Sequence, residues 1–112
     1  KQILECVSRG IDVFDSILPA KHARHGYLFT WDGVLNIKKA SSVNSTIDCD
    51  CVVCKTYSLE YLRYLFKKKD SVYMRLATVH NLHFMASFMT KLREAIKADK
   101  FSEFREKVLE KY

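Results

Sequence analysis

Apolar and polar residues alternate differently in the two halves of the chain. Residues 2–9 have the pattern of the last turns of a helix, and Gly10 suits the left-handed backbone that often follows a helix. Residues 11–18 alternate in their first half and stop at Pro19, which predicts a short buried strand that runs into a loop. A helix, a glycine and a strand make half of a βαβ unit, which cannot bury itself alone.

The middle of the chain predicts a hairpin between two irregular segments. Residues 19–26 are basic and are predicted to form a loop. Residues 27–30 and 34–37 flank Trp31-Asp32-Gly33, and an Asp-Gly pair between apolar runs is a strong hairpin signal. A polar connector, residues 38–48, follows, and residues 55–112 are predicted to be helical.

The first predicted helix, residues 57–68, has two different apolar faces. At helical spacing, two sets of side chains point in nearly opposite directions: Leu59, Leu62 and Phe66, and Tyr57, Tyr61 and Tyr64. A core can use only one of these faces. Tyrosine has an apolar body and a polar tip, which suits a surface covered by a partner protein. Packing of the tyrosines within the same chain is the alternative.

Two further helices complete the pattern. A long helix over residues 74–98 has apolar residues at three- and four-residue spacing, which predicts a core stripe of Leu82, Met85, Met89, Leu92 and Ile96. A last short helix is predicted to begin at Asp99 or Ser102. Its inward residues are Phe101, Phe104 and Val108.

Composition narrows the class of protein. The 112 residues, 48% of them hydrophobic, suffice for one domain with a modest core, and the small number of Gly and Pro, 3 and 1, indicates mostly regular structure. A formal charge of +6 favours an anionic partner, most commonly nucleic acid. The chain has neither a signal-peptide pattern nor an apolar run of bilayer length, so we expect no membrane partner, an intracellular location and reduced cysteines.

The candidate chemistry is a metal site. Cys49, Cys51 and Cys54 lie within six residues, and three thiolates with one imidazole make a complete tetrahedral set for structural zinc. His80 and His83 both lie on the long helix and both could supply the imidazole. The alternatives are a disulfide or buried inert thiols. A disulfide would leave one of the three cysteines unpaired, and nothing in the sequence indicates secretion.

Four segments in order resemble one family. Residues 10–15, residues 18–26, the three cysteines and residues 78–82 together resemble the C-terminal quarter to third of tRNA-guanine transglycosylase, also called queuine tRNA-ribosyltransferase. The resemblance implies an α/β fold, the end of a (β/α)8 barrel with an inserted zinc-binding subdomain. Residues 1–26 would close the barrel, residues 27–56 would form the hairpin and zinc knuckle, and residues 57–112 would be helical. The family's fourth zinc ligand corresponds to His80, not to His83.

The resemblance also implies an activity. The family replaces the wobble guanine of certain tRNA anticodons with a 7-deazaguanine, through a covalent ribosyl-enzyme intermediate on an aspartate that corresponds to Asp15. Two family arginines that contact the anticodon correspond to Lys21 and Arg24. Lysine cannot make the planar, two-pronged hydrogen bonds of arginine, so Lys21 weakens one expected base contact. Ala20 and Ser16 also replace the usual Thr and Cys of the family pattern.

The resemblance also implies a partner protein and a limit to what the 112 residues can do alone. Family members act as dimers, homodimers in bacteria, through a face that corresponds to Tyr57, Tyr61, Tyr64 and Leu65. The family's residues that bind the nucleobase lie in a segment outside this sequence, so we expect the 112 residues alone to be inactive. A tRNA substrate implies a cytoplasmic location. The alternatives are a non-catalytic, zinc-containing RNA-binding module and a dimerisation module that uses the tyrosine face.

Overall fold

A computed structural model describes residues 1–112, with six α-helices, one 3-10 helix and one two-stranded sheet. In chain order the elements are α1 (Gln2–Ser8), α2 (Leu18–Arg24), β1 (Tyr27–Thr30), β2 (Gly33–Asn36), the 3-10 helix (Ala40–Asn44), α3 (Val52–Thr56), α4 (Leu59–Lys67), α5 (Ser71–Lys97) and α6 (Phe101–Lys111). None of these helices is both long enough and apolar enough to span a membrane.

The 27-residue helix α5 is the element against which α2, α3, α4, α6 and β1 pack. The Asp70 side chain caps its N-terminus by accepting a hydrogen bond from the Val72 amide at 2.9 Å. Its C-terminus is followed by Asp99 in the left-handed region, with φ of 56°. Asp and Asn tolerate this conformation better than most residues, so the chain can turn there into α6.

The predicted hairpin forms, with its second strand one residue earlier than predicted, and the strands pair antiparallel with Leu28 opposite Leu35. Gly33 begins β2 with φ of 117°, where a side chain would be strained. A Cβ at this position would also lie only 2.9 Å from the Lys111 carbonyl oxygen at the end of α6. Glycine is therefore required both by the turn and by the close approach of α6.

The core consists of two apolar clusters along α5. Tyr73 and Ala77, near the start of α5, belong to a cluster that also contains Ala23, Leu28, Ile37, Cys51, Val53, Leu62 and Leu65. Phe84, Phe88 and Leu92, further along α5, belong to a cluster with Leu4 and Phe29. Phe101, Phe104 and Val108 of α6 pack against the second cluster, as predicted. The turn of α5 between the clusters contains His80.

The predicted core stripe of α5 is wrong at two of its five positions. Leu92 is buried, and Met85 and Met89 are half-buried and pack against the second cluster. Leu82 is 53% exposed and Ile96 is also exposed. The observed stripe is Tyr73, Ala77, His80, Asn81, Phe84, Phe88 and Leu92. The two stripes lie on neighbouring faces of the helix, and polar His80 and Asn81 hid the buried one from a search for apolar residues.

Two elements near the N-terminus also differ from the prediction. Residues 11–15 form no strand, and Val13 is 86% exposed, because no other strand of this chain lies beside them to complete the backbone hydrogen bonds. Residues 19–24, predicted as a loop, belong to α2. Pro19 lies in the first turn of α2, where its missing amide costs no helical hydrogen bond, and Gly26, with φ of 88°, follows the helix end.

Candidate metal centre and adjoining functional residues

The three cysteines and His80 converge between α3 and α5. Cys49 lies in the extended segment before α3, Cys51 is the residue that caps α3, and Cys54 lies within α3. Their sulfur atoms and a ring nitrogen of His80 all lie within 4.8 Å of one another. All four cysteines of the chain are free thiols, so the alternative of a disulfide is wrong.

His80 is oriented for metal binding by the hairpin. Its Nδ1 lies 3.3 Å from the Cys54 sulfur and 3.6 Å from the Cys51 sulfur. Its Nε2 lies 2.9 Å from the Phe29 carbonyl oxygen in β1, and a carbonyl can only accept a hydrogen bond. The proton therefore belongs on Nε2, which leaves the lone pair of Nδ1 facing the sulfurs, as in many zinc-binding histidines.

Backbone amides point at the sulfurs in the knuckle. The Cys51 amide donates to the Cys49 sulfur at 3.5 Å, and the Cys54 amide donates to the Cys51 sulfur at 3.4 Å. The second bond caps α3, a role that usually falls to a Ser or Asp oxygen. Donors of this kind stabilise negative charge on sulfur, so they favour thiolates over thiols.

The pKa shifts of the clustered side chains indicate that a cation would stabilise their thiolate forms. Burial raises the pKa of the Cys54 thiol, and negative charge on Cys49 and Cys51 raises it further. Burial also raises the pKa of Cys49, and it lowers the pKa of His80, which keeps that imidazole neutral. A divalent cation at the centre removes the repulsion between the thiolates and offsets their lost hydration.

The four ligands fit one structural zinc ion. Sulfur-rich sets with one imidazole are typical of tetrahedral zinc, and four protein ligands leave no open position for a substrate or water. His80, and not His83, completes the set. The ion would join α3, α5 and, through the Phe29 carbonyl, the hairpin.

Asn81, the neighbour of His80, is a functional residue that the hydrophobic pattern did not predict. Its side chain is fully buried, and its Oδ1 accepts a hydrogen bond from the Phe29 amide at 3.0 Å. Its Nδ2 donates to the carbonyls of Pro19 at 3.0 Å and Tyr27 at 2.9 Å. One amide side chain thus links α5 to α2 and β1. The only sequence signal was its place beside a metal ligand.

His83 lies one turn beyond His80 and pairs with the residue between two zinc ligands. Its Nε2 is 2.9 Å from Oδ1 of Asp50. The hydrogen bond from His83 holds the pKa of the Asp50 carboxyl below its usual value. Cys49, Asp50 and His83 have their ligand atoms within 4.8 Å of one another, and they form a second, more exposed cluster that shares Cys49 with the first.

The predicted catalytic and tRNA-binding residues lie on the surface near α2. Asp15 is exposed in the irregular segment before α2, and the Ser16 hydroxyl accepts a hydrogen bond from the Leu18 amide at 3.1 Å. Lys21 and Arg24 are both exposed on α2. A spacing of three residues places them on one face of the helix.

The basic surface at Arg24 extends to the end of α4. Arg24, Lys67 and Lys69 line one surface cavity, together with Phe66, Asp70, Tyr73 and Met74. Lys69 has a left-handed backbone, with φ of 55°, at the turn between α4 and α5. These lysines are more than forty residues from α2 in the sequence, and only the fold brings them beside Arg24.

The tyrosine face is exposed, but Leu65 does not belong to it. Tyr57, Tyr61 and Tyr64 are all exposed, with Tyr64 at 56%, and the rings of Tyr57 and Tyr61 stack at 5.4 Å. Leu65 is only 5% exposed and packs in the first core cluster. Leu65 lies on the inward side of α4 with Leu62, so its prediction as an interface residue is corrected.

The zinc cluster, the hairpin and the helical second half define the chain as part of a zinc-binding α/β protein. A family profile described as queuine tRNA-ribosyltransferase matches residues 1–112. The chain therefore belongs to the queuine tRNA-ribosyltransferase family.

Similar curated proteins carry the same description. A queuine tRNA-ribosyltransferase of Caldanaerobacter subterraneus subsp. tengcongensis is 47% identical over 100% of this chain and 31% of its own length. The corresponding protein of Halothermothrix orenii is 44% identical over the same shares. That of Clostridium acetobutylicum is 48% identical over 96% of this chain and 30% of its own length. The chain thus spans about a third of these relatives and corresponds to their C-terminal part.

Proposed function

We propose that this chain is the C-terminal portion of an enzyme that exchanges the wobble guanine of tRNA anticodons for a 7-deazaguanine. The observation that carries the proposal is the family match over all 112 residues, together with relatives named queuine tRNA-ribosyltransferase. In the whole protein, residues 1–26 would complete a (β/α)8 barrel and Asp15 would lie at the C-terminal end of its last strand, where such barrels place catalytic groups. A tRNA substrate places the protein in the cytoplasm.

Asp15 is the nucleophile in this proposal. Its carboxylate attacks C1′ of the wobble nucleotide as the glycosidic bond breaks, and guanine leaves with the bonding electrons and takes up a proton. The product is an ester between Asp15 and ribose. A nitrogen of the incoming 7-deazaguanine then loses its proton, attacks C1′ and releases the carboxylate, so two displacements retain the configuration at C1′. In this chain Asp15 is exposed in the segment before α2.

Lys21 and Arg24 bind the anticodon in this proposal. Both side chains are exposed on one face of α2, a few residues after Asp15. Arg24 offers a planar fork for two hydrogen bonds to a base edge, whereas Lys21 offers a point charge that attracts phosphate. The lysines that share a cavity with Arg24 would extend the contact along the RNA backbone.

The zinc ion has a structural role. Four protein ligands close its coordination shell, so it takes no part in the displacement steps. Its effect on activity is indirect, because it fixes α3 and α5, and Asn81 of α5 in turn contacts α2 and the hairpin.

The full-length protein allows a direct test of the nucleophile. Asp15→Asn is expected to abolish base exchange and the trapped covalent tRNA adduct, while tRNA binding falls only modestly. Asp12→Asn, a change of the same kind in the same exposed segment, is the matched control and keeps the adduct. An Asp15→Asn protein that still forms the adduct would refute the assignment. Absence of exchange in the unmodified full-length protein would favour the non-catalytic RNA-binding module.

The 112-residue chain alone is expected to be inactive. The residues by which the family binds the nucleobase lie outside this sequence, and correct positioning of the reacting groups supplies a large part of enzymatic rate. Exchange of labelled guanine into tRNA by the isolated chain would contradict this expectation.

A further inference from the structure

A second cluster of potential metal ligands adjoins the zinc site and consists of Cys49, Asp50 and His83. Binding of the structural zinc ion uses only Cys49 of these three residues. The three ligand atoms of the second cluster, a sulfur, a carboxylate oxygen and a ring nitrogen, lie within 4.8 Å of one another. Tetrahedral zinc holds such atoms about 3.3 to 3.8 Å apart, so small side-chain movements would bring all three into its shell. The set offers three ligands and an open position.

The two clusters differ in access to solvent. In the inner set, Cys51 and His80 are buried, and Cys49 and Cys54 are half-buried. In the outer set, the side chains of Asp50 and His83 are exposed by 82% and 39%. Cys49 belongs to both sets and is half-buried between them.

An open cavity of about 510 Å³ leads to the outer set. Cys49, Asp50 and His83 line it, and Asp48 and Glu94 add carboxylates to its wall. Lys91 also lines the cavity. Its ammonium group lies 4.1 Å from the centre of the Trp31 ring and makes a cation–π interaction with it. The two additional carboxylates favour the approach of a cation.

We propose that Cys49, Asp50 and His83 form a transfer site through which zinc enters and leaves the buried Cys49, Cys51, Cys54 and His80 site. During transfer the bond between zinc and the Cys49 thiolate persists. Asp50 and His83 replace Cys51, Cys54 and His80 in turn, and each thiolate that is released takes up a proton from water. A stepwise exchange of ligands avoids the cost of a bare divalent ion in a buried site.

The rate of zinc release from the folded, full-length protein tests the proposal. A chelating dye in excess would report the release. His83→Ala is expected to slow release by on the order of tenfold, because the chelator loses the intermediate from which it removes the metal. Zinc content before the chelator is added stays at one per chain.

Faster zinc release from His83→Ala would identify the alternative, in which His83 only stabilises the cysteine segment through its hydrogen bond to Asp50. Loss of such a bond loosens the inner site, so His83→Ala would then release zinc faster. Faster or unchanged release therefore overturns the transfer site.

Asp50→Asn distinguishes zinc binding by the Asp50 carboxylate from stabilisation through the hydrogen bond between Asp50 and His83. The amide oxygen of the substituted side chain would still accept the hydrogen bond from His83, but an amide is a much poorer zinc ligand than a carboxylate. The transfer site therefore requires slower release in this variant as well, and unchanged release overturns it. His25→Ala, which removes an exposed histidine of another element, is the control and leaves the rate unchanged.

Discussion

Nε2 of His80 lies 2.9 Å from the carbonyl oxygen of Phe29, so the imidazole that faces the three cysteines is fixed by the hairpin. The contact joins residues that are 51 positions apart in the sequence. It makes the tautomer of the metal ligand depend on the position of β1, and in turn it ties β1 to the metal. Loss of zinc is therefore expected to disturb more than the cysteine segment.

The first prediction concerns loss of one zinc ligand. Cys51→Ser should lower zinc below one ion per chain and destabilise the region from Cys49 to His80, because the remaining thiolates and imidazole bind zinc poorly. We expect the melting temperature to fall by roughly 10 °C or more, which corresponds to about 2 kcal/mol for a domain of this size. Elemental analysis and thermal unfolding followed by circular dichroism measure both effects.

Cys6→Ser is the matched control for this prediction. Cys6 is the one cysteine outside the cluster, on α1, and its serine variant should keep one zinc per chain. A Cys51→Ser chain with the melting curve of the unmodified chain would show that the metal does not stabilise the fold.

The second prediction concerns Asn81. Asn81→Ala removes three hydrogen bonds, two to the hairpin and one to α2, and it leaves the Phe29 amide and the Tyr27 carbonyl without the Asn81 side chain. The free energy of unfolding should fall by about 2 to 4 kcal/mol, since unsatisfied buried groups cost more than the bond itself contributes. Urea denaturation of the zinc-loaded chain measures it. Asn44→Ala, at an exposed position, should change it by less than about 0.5 kcal/mol.

The zinc ligands could be predicted because their signal is local and chemical. Three cysteines in six residues leave few alternatives, and the hairpin turn likewise depends on adjacent residues. The choice between His80 and His83 could not be made from spacing alone, since both lie on one helix. The Phe29 carbonyl distinguishes them in the structure, and that contact depends on the fold.

The errors in the fold have a different physical cause. Residues 11–15 have a strand pattern, but a strand also needs a neighbour, and this chain provides none beside them. The predicted stripe of α5 was wrong at Leu82 and Ile96, which are exposed, and it omitted His80 and Asn81, which are buried although they are polar. Hydrophobic pattern predicts burial only where buried groups are apolar, and a metal site and a hydrogen-bond network break that rule.

The third prediction concerns alkaline pH. The Tyr112 hydroxyl donates a hydrogen bond to the Thr30 carbonyl, with the Gly33 carbonyl oxygen 3.4 Å away, and burial raises its pKa to about 12 from an ordinary value of 10.0. The folded state therefore favours the neutral phenol. Its stabilising contribution is fully present below about pH 10 and is lost as pH rises to about 12, because unfolding then lets the phenol ionise.

Tyr112→Phe tests whether ionisation of Tyr112 causes this loss of stability at high pH. The variant should be less stable at about pH 9, because the hydrogen bond from the phenol is lost, but its stability should fall less between about pH 9 and pH 11.5. Burial also raises the pKa of Tyr73, so part of the fall remains in the variant. Urea denaturation at both pH values measures the difference. Equal falls in the two proteins would contradict a role for Tyr112.

The last prediction concerns self-association. Tyr57, Tyr61 and Tyr64 expose aromatic surface on one side of the zinc knuckle and α4, and we propose that this face forms a homodimer. Buried aromatic residues usually dominate such interfaces, so the double change Tyr61→Ala and Tyr64→Ala should weaken the dimer strongly. The exposed apolar residues Val13 and Ile17 offer a second route to association, by strand pairing or exchange.

Sedimentation velocity of the double variant beside the unmodified chain separates the two routes. A dimer through the tyrosine face should dissociate to monomer, whereas an oligomer held by residues 11–17 should keep its mass. Val13→Ser with Ile17→Ser is the matched control, because it removes the second apolar surface and leaves the tyrosines intact. An unchanged mass in the tyrosine variant would exclude Tyr61 and Tyr64 from the interface. Because both rings project away from the core, truncation to alanine should leave the fold intact, so a change of mass reports on association.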